Sequence, residues 1–215
     1  MIVDERYTTY LNSLYPELDE TLSSIRKEAR ENFVPIIRDE TINLLTTLIT
    51  MNKPKRILEV GAAVGFSACL MAKCAGEDAL ITTIENYPPR IPIAKGNIKK
   101  MGYENQITLI EGDAMEVLPT LDGPFDFVFM DAAKGQYINF WPEIKRLTAD
   151  AGVIVTDNVL QDGDIIESRY AITRRNRTIH KRMRDYLYEL THDEGYTTTI
   201  LPLGDGVSIS VKGKK

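Results

Sequence analysis

The sequence predicts an α/β fold: a mostly parallel seven-stranded sheet with helices on both faces, ending in an antiparallel hairpin. Three observations carry this. Short runs rich in β-branched residues alternate with helical segments, which calls for crossover connections and therefore parallel strands. Those runs are mostly apolar, as strands covered on both faces tend to be. The chain then ends on "YTTTILPL", "GDG" and "VSISVK", two strand-like segments joined by a glycine-containing turn.

From residue 17 to about 50 the pattern is helical and partly amphipathic, interrupted by "VPII" (34–37) at Pro35. Five buried strands follow: "RILEV" (56–60), "LITTI" (80–84), "ITLI" (107–110), "FDFVFM" (125–130) and "GVIVT" (152–156). Between them, "SACLMAKCA", "RIPIAKGNIKKMG" and "YINFWPEIKRL" read as crossover helices. Trp141, in the last of these, reads as a helix-packing residue. No repeat, low-complexity tract or linker divides the chain, so a single domain over 1–215 is expected, with 1–50 as a helical N-terminal extension.

Composition excludes several classes. At 43% hydrophobic and 27% charged residues the chain is globular, neither fibrous nor disordered. No apolar run approaches the roughly 20 residues that cross a bilayer. "MIVDERYTTY" has acids where a signal peptide would have its apolar stretch, so no membrane association and a cytoplasmic location are expected. Cys69 and Cys74 form no metal or redox spacing and read as reduced thiols. His180 and His192 likewise offer no ligand pattern, leaving zinc and Ser-His-Asp chemistry little support. A net charge of −5 argues against indiscriminate nucleic-acid binding, yet Arg169 to Arg184 holds seven Lys/Arg and no acid.

Ligands of open α/β sheets bind beyond the carboxyl ends of the strands, so those ends deserve residue-level reading. The first strand runs into "LEVGAAVGFS" (58–67), where Gly61 and Gly65 allow a tight turn and close approach of a ligand. Ala63 breaks the dinucleotide-binding glycine fingerprint. The second strand ends at Glu85, an acid able to hold ribose hydroxyls or simply to face solvent. "EGDA" (111–114) follows the third, where Asp113 can accept from an adenine amino group or cap a helix. Asp131 ends the fourth strand, and Asp157 and Asn158 end the fifth. Three oxygen donors at adjacent strand ends suit a hard divalent cation such as Mg²⁺, although each residue type also serves as a helix cap. Lys134 lies three residues past Asp131 and is either a general base in the same cavity or a surface lysine.

In this order, "LEVGAAVGFS", "TIE", "GDA", "MDAAK" and "TDNV" resemble the metal-dependent, S-adenosylmethionine-using O-methyltransferases of the catechol and caffeoyl-CoA group. The resemblance runs from about residue 34 to 211 and implies a Rossmann-like class I methyltransferase fold. It implies that Glu59, Gly61, Ser67 and Glu85 hold the methionine and ribose portions of the cofactor. Asp113 and Ala114 would bind adenine, and "VPII" would lay Ile37 beside the cofactor, giving the N-terminal extension a part in that site. Asp131, Asp157 and Asn158 would bind the metal, with Asp131 also near the methyl donor. Lys134 would be the catalytic lysine. Ala133 departs from the acid that many members carry there, so one auxiliary polar contact is missing.

Within that family, "VPII", "MDAAKGQYINF", "TDNVL" and the Arg-rich segment look most like the bacterial tRNA 5-hydroxyuridine methyltransferases. The resemblance implies a homodimer and a tRNA substrate, contacted through Arg174, Arg175, Arg177 and Lys181. In "RYAITRRNRTIHKRMRDYLYEL", Ile179, Met183, Tyr186/Leu187 and Leu190 recur at helical spacing and are expected to face the core. The basic residues are then either a phosphate-binding patch or a solvated helix face. Two other classes stay open from the residues alone. A nicotinamide-dependent dehydrogenase shares the sheet and the acid after strand two; a non-catalytic RNA-binding module accounts for the arginines.

Overall fold

The computed structural model of the chain describes residues 2–213. Three helices come first: α1 (Glu5–Ser13), α2 (Glu20–Glu31) and α3 (Asp39–Asn52). Then β1 (Arg56–Val60), α4 (Phe66–Ala75), β2 (Leu80–Glu85), α5 (Ile91–Lys100), β3 (Ile107–Glu111), the short α6 (Ala114–Val117) and β4 (Phe125–Met130). The chain closes with α7 (Tyr137–Leu147), β5 (Thr148–Thr156), α8 (Arg177–His192), β6 (Tyr196–Leu201) and β7 (Val207–Lys212). The seven strands order as β3-β2-β1-β4-β5-β7-β6. The first five are parallel, and β7 runs antiparallel to both β5 and β6. The last strand therefore enters between β5 and β6 instead of adding to the edge.

The two faces of the sheet carry separate apolar layers. On one face Ile57, Ile81, Phe127 and Phe129 pack against α2, α3 and α4 through Leu22, Leu45 and Met71. On the other, Leu58, Val128, Met130 and Ile154 pack against α7 and α8 through Trp141, Ile144 and Met183. Alternate residues of one strand thus serve opposite layers, as the two-residue period of a strand dictates.

Three details differ from the sequence reading. A 3₁₀ turn and α6 fill part of the β3–β4 connection, to which the sequence reading assigned no element. Strand β5 begins at Thr148, with a register shift against β4 between Phe125 and Phe127. In α8, Met183, Tyr186 and Leu190 are buried as expected, but Ile179 is 38% exposed and His180 takes the buried position at 2%. Ile179 lies against Gly135 instead, near the surface. The apolar residue and the core-facing one are neighbours, separated by one helical step.

Gly206 fixes the hairpin turn against the loop that follows β5. Its backbone has φ +88°, and a β-carbon there would lie 2.3 Å from Leu160 Cγ. In return, Val159 N donates to Gly206 O at 2.9 Å and Leu160 N to Asp205 O at 2.9 Å. Gly206→Ala is expected to lower stability by roughly 2–4 kcal/mol, through both backbone strain and overpacking. Urea titration should show a lower midpoint with an unchanged slope; an unchanged midpoint would mean the turn does not hold the loop.

Candidate active site

The carboxyl ends of β1, β2, β4 and β5 open onto one cavity of about 730 Å³. It is lined by Ile37, Gly61, Glu85, Asp113, Ala114, Asp131, Lys134, Asp157 and Asn158. Of the expected site residues, only Glu59 and Ser67 do not line it. Both are buried beside its Val60–Gly61 wall, at 0% and 7% exposure.

Gly61 shapes the middle of the site. With φ +102° it turns sharply after β1, and a β-carbon would fall 2.1 Å from the Asp131 carbonyl oxygen. Its amide and that of Ala62 donate to Ile84 O at 3.0 Å each. Ala63 follows in the left-handed region at φ 46°. Glu85 stabilises that conformation, accepting from Ala63 N at 2.6 Å while also accepting from Asn86 N at 3.0 Å and Tyr87 N at 2.8 Å. The carboxylate thus clamps two loops together. Three of about four acceptor positions are filled by backbone, leaving about one for a ligand.

Glu59 has a different character. Thr83 Oγ1 donates to its Oε2 at 2.5 Å, while Oε1 is buried without a hydrogen-bond partner. Burial pushes its carboxyl up to about 7, with the Ser67 and Thr83 hydroxyls pulling the other way. An orphaned buried acceptor beside the Gly61 turn fits a ligand that brings an ammonium group. Asp113 caps α6, accepting from Met115 N at 2.8 Å through Oδ1, so the helix-cap role holds and one oxygen is left for the cavity.

The acidic wall lies opposite. Asp157 is 1% exposed, and its carboxyl is pushed up to about 7 by burial and then by the charge of Asp131. Asp131 rises to about 6 through burial and then Glu59, with Lys134 opposing. Asn158 sits at φ 60°, an uncommon conformation for which its amide type is suited. Asn158 N donates to Asp157 Oδ1 at 2.8 Å. Two crowded carboxylates and an amide are hard oxygen donors short of positive charge, so they fit a divalent cation. Among the described residues, no three His, Cys, Asp or Glu side chains form a ligand group, so the amide of Asn158 is essential to this set. Lys134 begins a one-turn 3₁₀ helix on the cavity rim and makes no hydrogen bond or ion pair among the described residues.

Several contributors escaped the sequence reading. Tyr137 is fully buried, and its hydroxyl lies 3.2 Å from Ala132 N, 3.2 Å from Ala132 O and 3.3 Å from Asp157 O, joining the two acidic loops. Asp205, in the "GDG" turn, lines the cavity and pairs with Arg38 at 2.6 Å. Arg38 also reaches Asp162 at 3.2 Å. "GDG" carries a turn signal and an acid at once; only the turn was read.

The Arg-rich segment divides. Arg174 and Arg175 are exposed and unpaired among the described residues. Arg177 instead donates through Nε to Ile172 O at 3.1 Å, and Lys181 pairs with Asp185 at 2.5 Å. Arg182 donates to Gly135 O at 3.2 Å, tying α8 to the Lys134 loop. Half of the basic residues singled out in the sequence are thus committed to internal contacts.

Since burial raises the carboxyls of Glu59, Asp131 and Asp157 above their unfolded values near 4, protonation favours the folded chain. That stabilisation is complete below about pH 4 and is lost as pH rises through about 6 to 7. Metal-free protein should therefore melt at a lower temperature at pH 8 than at pH 6. Asp157→Asn should raise the pH 8 melting temperature and narrow the difference. Equal melting temperatures for the wild type at both pH values would contradict this electrostatic account.

Comparison with known proteins accords with this layout. The family model described as O-methyltransferase matches residues 12–213. A catechol O-methyltransferase of Niastella koreensis is 30% identical over 164 residues, 74% of each chain. A Staphylococcus aureus structure, provisionally named a caffeoyl-CoA O-methyltransferase, superposes with a TM-score of 0.90 at 36% identity, covering 97% of this chain and 100% of that one. The O-methyltransferase TomG of Streptomyces achromogenes, solved with S-adenosylmethionine bound, gives 0.84 at 25% identity, over 96% and 95% of the two chains. These matches leave the nicotinamide dehydrogenase and the non-catalytic RNA module without support. With a family model spanning all but the first eleven and last two residues, the chain belongs to the O-methyltransferase family, whose members use S-adenosylmethionine.

Proposed function

We propose that the enzyme methylates 5-hydroxyuridine in tRNA to 5-methoxyuridine with the help of a divalent cation such as Mg²⁺. The observation that carries this is the pairing of an oxygen-donor wall and a free lysine in one cavity with exposed, unpaired arginines on the segment beside it. The C4 carbonyl and C5 hydroxyl of 5-hydroxyuridine are adjacent, as the two oxygens of a catechol are.

The cofactor, when bound, supplies a methyl group on a positively charged sulfur. Glu59 would receive its ammonium group, Glu85 and Asp113 its ribose and adenine, and Gly61, Ser67, Ile37 and Ala114 would shape the space around it. The metal, held by Asp131, Asp157 and Asn158, would lower the pKa of a chelated hydroxyl. Lys134, on the rim and without a hydrogen-bond or ion-pair partner among the described residues, would take the proton of such a hydroxyl. Tyr137 keeps the Asp131 and Asp157 loops at fixed separation, so the acceptor oxygen is presented to the methyl group in one orientation. A homodimer in the cytoplasm completes the reading. The exposed Tyr7, Tyr10 and Leu11 of α1, with Leu14 just after it, supply an apolar surface that a second copy would cover.

A small catechol-like acceptor is the second reading, favoured by the Niastella koreensis relative. Mass spectrometry of tRNA nucleosides after incubation with labelled methyl donor and Mg²⁺ separates the two. Label in 5-methoxyuridine is expected. Arg174→Ala with Arg175→Ala should then raise the apparent KM for tRNA and flatten its salt dependence, each lost phosphate contact removing about one unit or less from the log–log slope. Label in a catechol and none in tRNA would overturn the tRNA assignment. Separately, Glu85→Ala should weaken cofactor binding by roughly 1.5–3 kcal/mol, the worth of one hydrogen bond to a charged acceptor. Calorimetry that returned an unchanged dissociation constant would confine Glu85 to its loop-clamping role.

A further inference from the structure

The segment between Leu160 and α8 connects two points on the rim of the cavity. It starts directly after Asn158, where Leu160 N is held by Asp205 O at 2.9 Å and Asp162 by Arg38 at 3.2 Å. It ends at α8, which Arg182 fastens to Gly135 O, next to Lys134, at 3.2 Å. Both anchors are therefore cavity-rim contacts. Along the segment, Ile165 and Ile172 are buried at 6% each and hold it down. Between them Tyr170 stands 88% exposed, among the most exposed large apolar side chains of the protein. Its backbone is fixed on both sides, by Tyr170 N to Ser168 Oγ at 3.3 Å and Ala171 N to Ser168 O at 2.8 Å. Arg169 precedes it, and Arg174 and Arg175 follow on the same segment, all exposed and without an acid from 168 to 184.

An aromatic side chain left in water on a hydrogen-bonded backbone has no stabilising role in the fold. Flanked by unpaired guanidinium groups on a protein of net charge −5, it presents a π-face and positive charge together. Single-stranded RNA has the complementary features: an unstacked base with phosphates on either side. We propose that Tyr170 is a stacking platform for a base of the tRNA loop next to the nucleotide that enters the cavity, with Arg169, Arg174 and Arg175 on the adjoining phosphates. This rests on the tRNA reading above and adds to it a named contact and its geometry. A membrane surface or an acidic peptide would also be drawn to the charge, but neither offers a flat aromatic partner for the ring.

The test uses the full-length enzyme and tRNA carrying 5-hydroxyuridine. Wild type, Tyr170→Ala, Tyr170→Phe and Arg174→Ala/Arg175→Ala are compared across a salt series. Tyr170→Ala should raise the apparent KM for tRNA by about tenfold or more, given the usual worth of base–aromatic stacking. Tyr170→Phe should retain the wild-type value, since the ring and not the hydroxyl makes the contact. The salt slope should be unchanged in both tyrosine variants and reduced only in the arginine variant. Calorimetric binding of S-adenosylhomocysteine checks that each variant is folded around the cavity. An unchanged KM in Tyr170→Ala, with active wild type, would overturn the stacking role and leave the tRNA reading intact. Equal defects in Tyr170→Ala and Tyr170→Phe would overturn it too, pointing to the hydroxyl. A wild type that leaves such tRNA unmethylated would overturn both.

Discussion

The site depends on one close approach. The Asp131 carbonyl passes so near Gly61 that a β-carbon would meet it at 2.1 Å, so the loops after β1 and β4 can lie side by side only with glycine at 61. These two strands are neighbours in the sheet, and the chain leaves them for opposite halves: from β1 toward β2 and β3, from β4 toward β5. A crevice opens where the order reverses, and ligands of open α/β sheets bind in such crevices. Gly61 lets the crevice narrow enough for the glycine turn after β1 and the acidic loops after β4 and β5 to share one cavity.

Two buried networks keep that cavity in shape. Glu85 receives three backbone amides from two loops and holds Ala63 in a conformation it would otherwise avoid. Tyr137 does the corresponding work across the cavity, reaching from α7 to both acidic loops. Each network uses a polar side chain from a regular element to fix irregular backbone, which has no ladder of its own to satisfy it. The side chains that face ligands are therefore positioned before a ligand arrives, which lowers the ordering cost of binding.

Such a site works against the stability of the chain that forms it. Glu59, Asp131 and Asp157 are removed from water with less positive charge nearby than they need, and all three carboxyls rise toward neutrality. The two apolar layers, with Trp141, Tyr186, Phe127 and Phe129 fully or almost fully buried, offset this. The same carboxylates that cost the fold stability are the groups best suited to hold positive charge within the cavity.

The sequence by itself determined the strands, their parallel order of appearance and the chemistry at their ends. Apolar runs bounded by polar turns leave little freedom in where a buried strand stops, so Gly61, Glu85, Asp113, Asp131, Asp157 and Asn158 could be placed at strand ends before any coordinates. Residues whose role depends on a partner far along the chain were not legible. Asp205 reaches the cavity only because β7 inserts beside β5 and carries its turn onto Leu160, across 45 residues of chain. Arg177 and Lys181 look like free cations in the sequence, but Ile172 O and Asp185 claim them, and Ile179 fits the core stripe yet lies near the surface. Local pattern encodes burial and strand direction because those depend on neighbours in sequence; tertiary structure alone decides which charges remain unpaired, because pairing depends on neighbours in space.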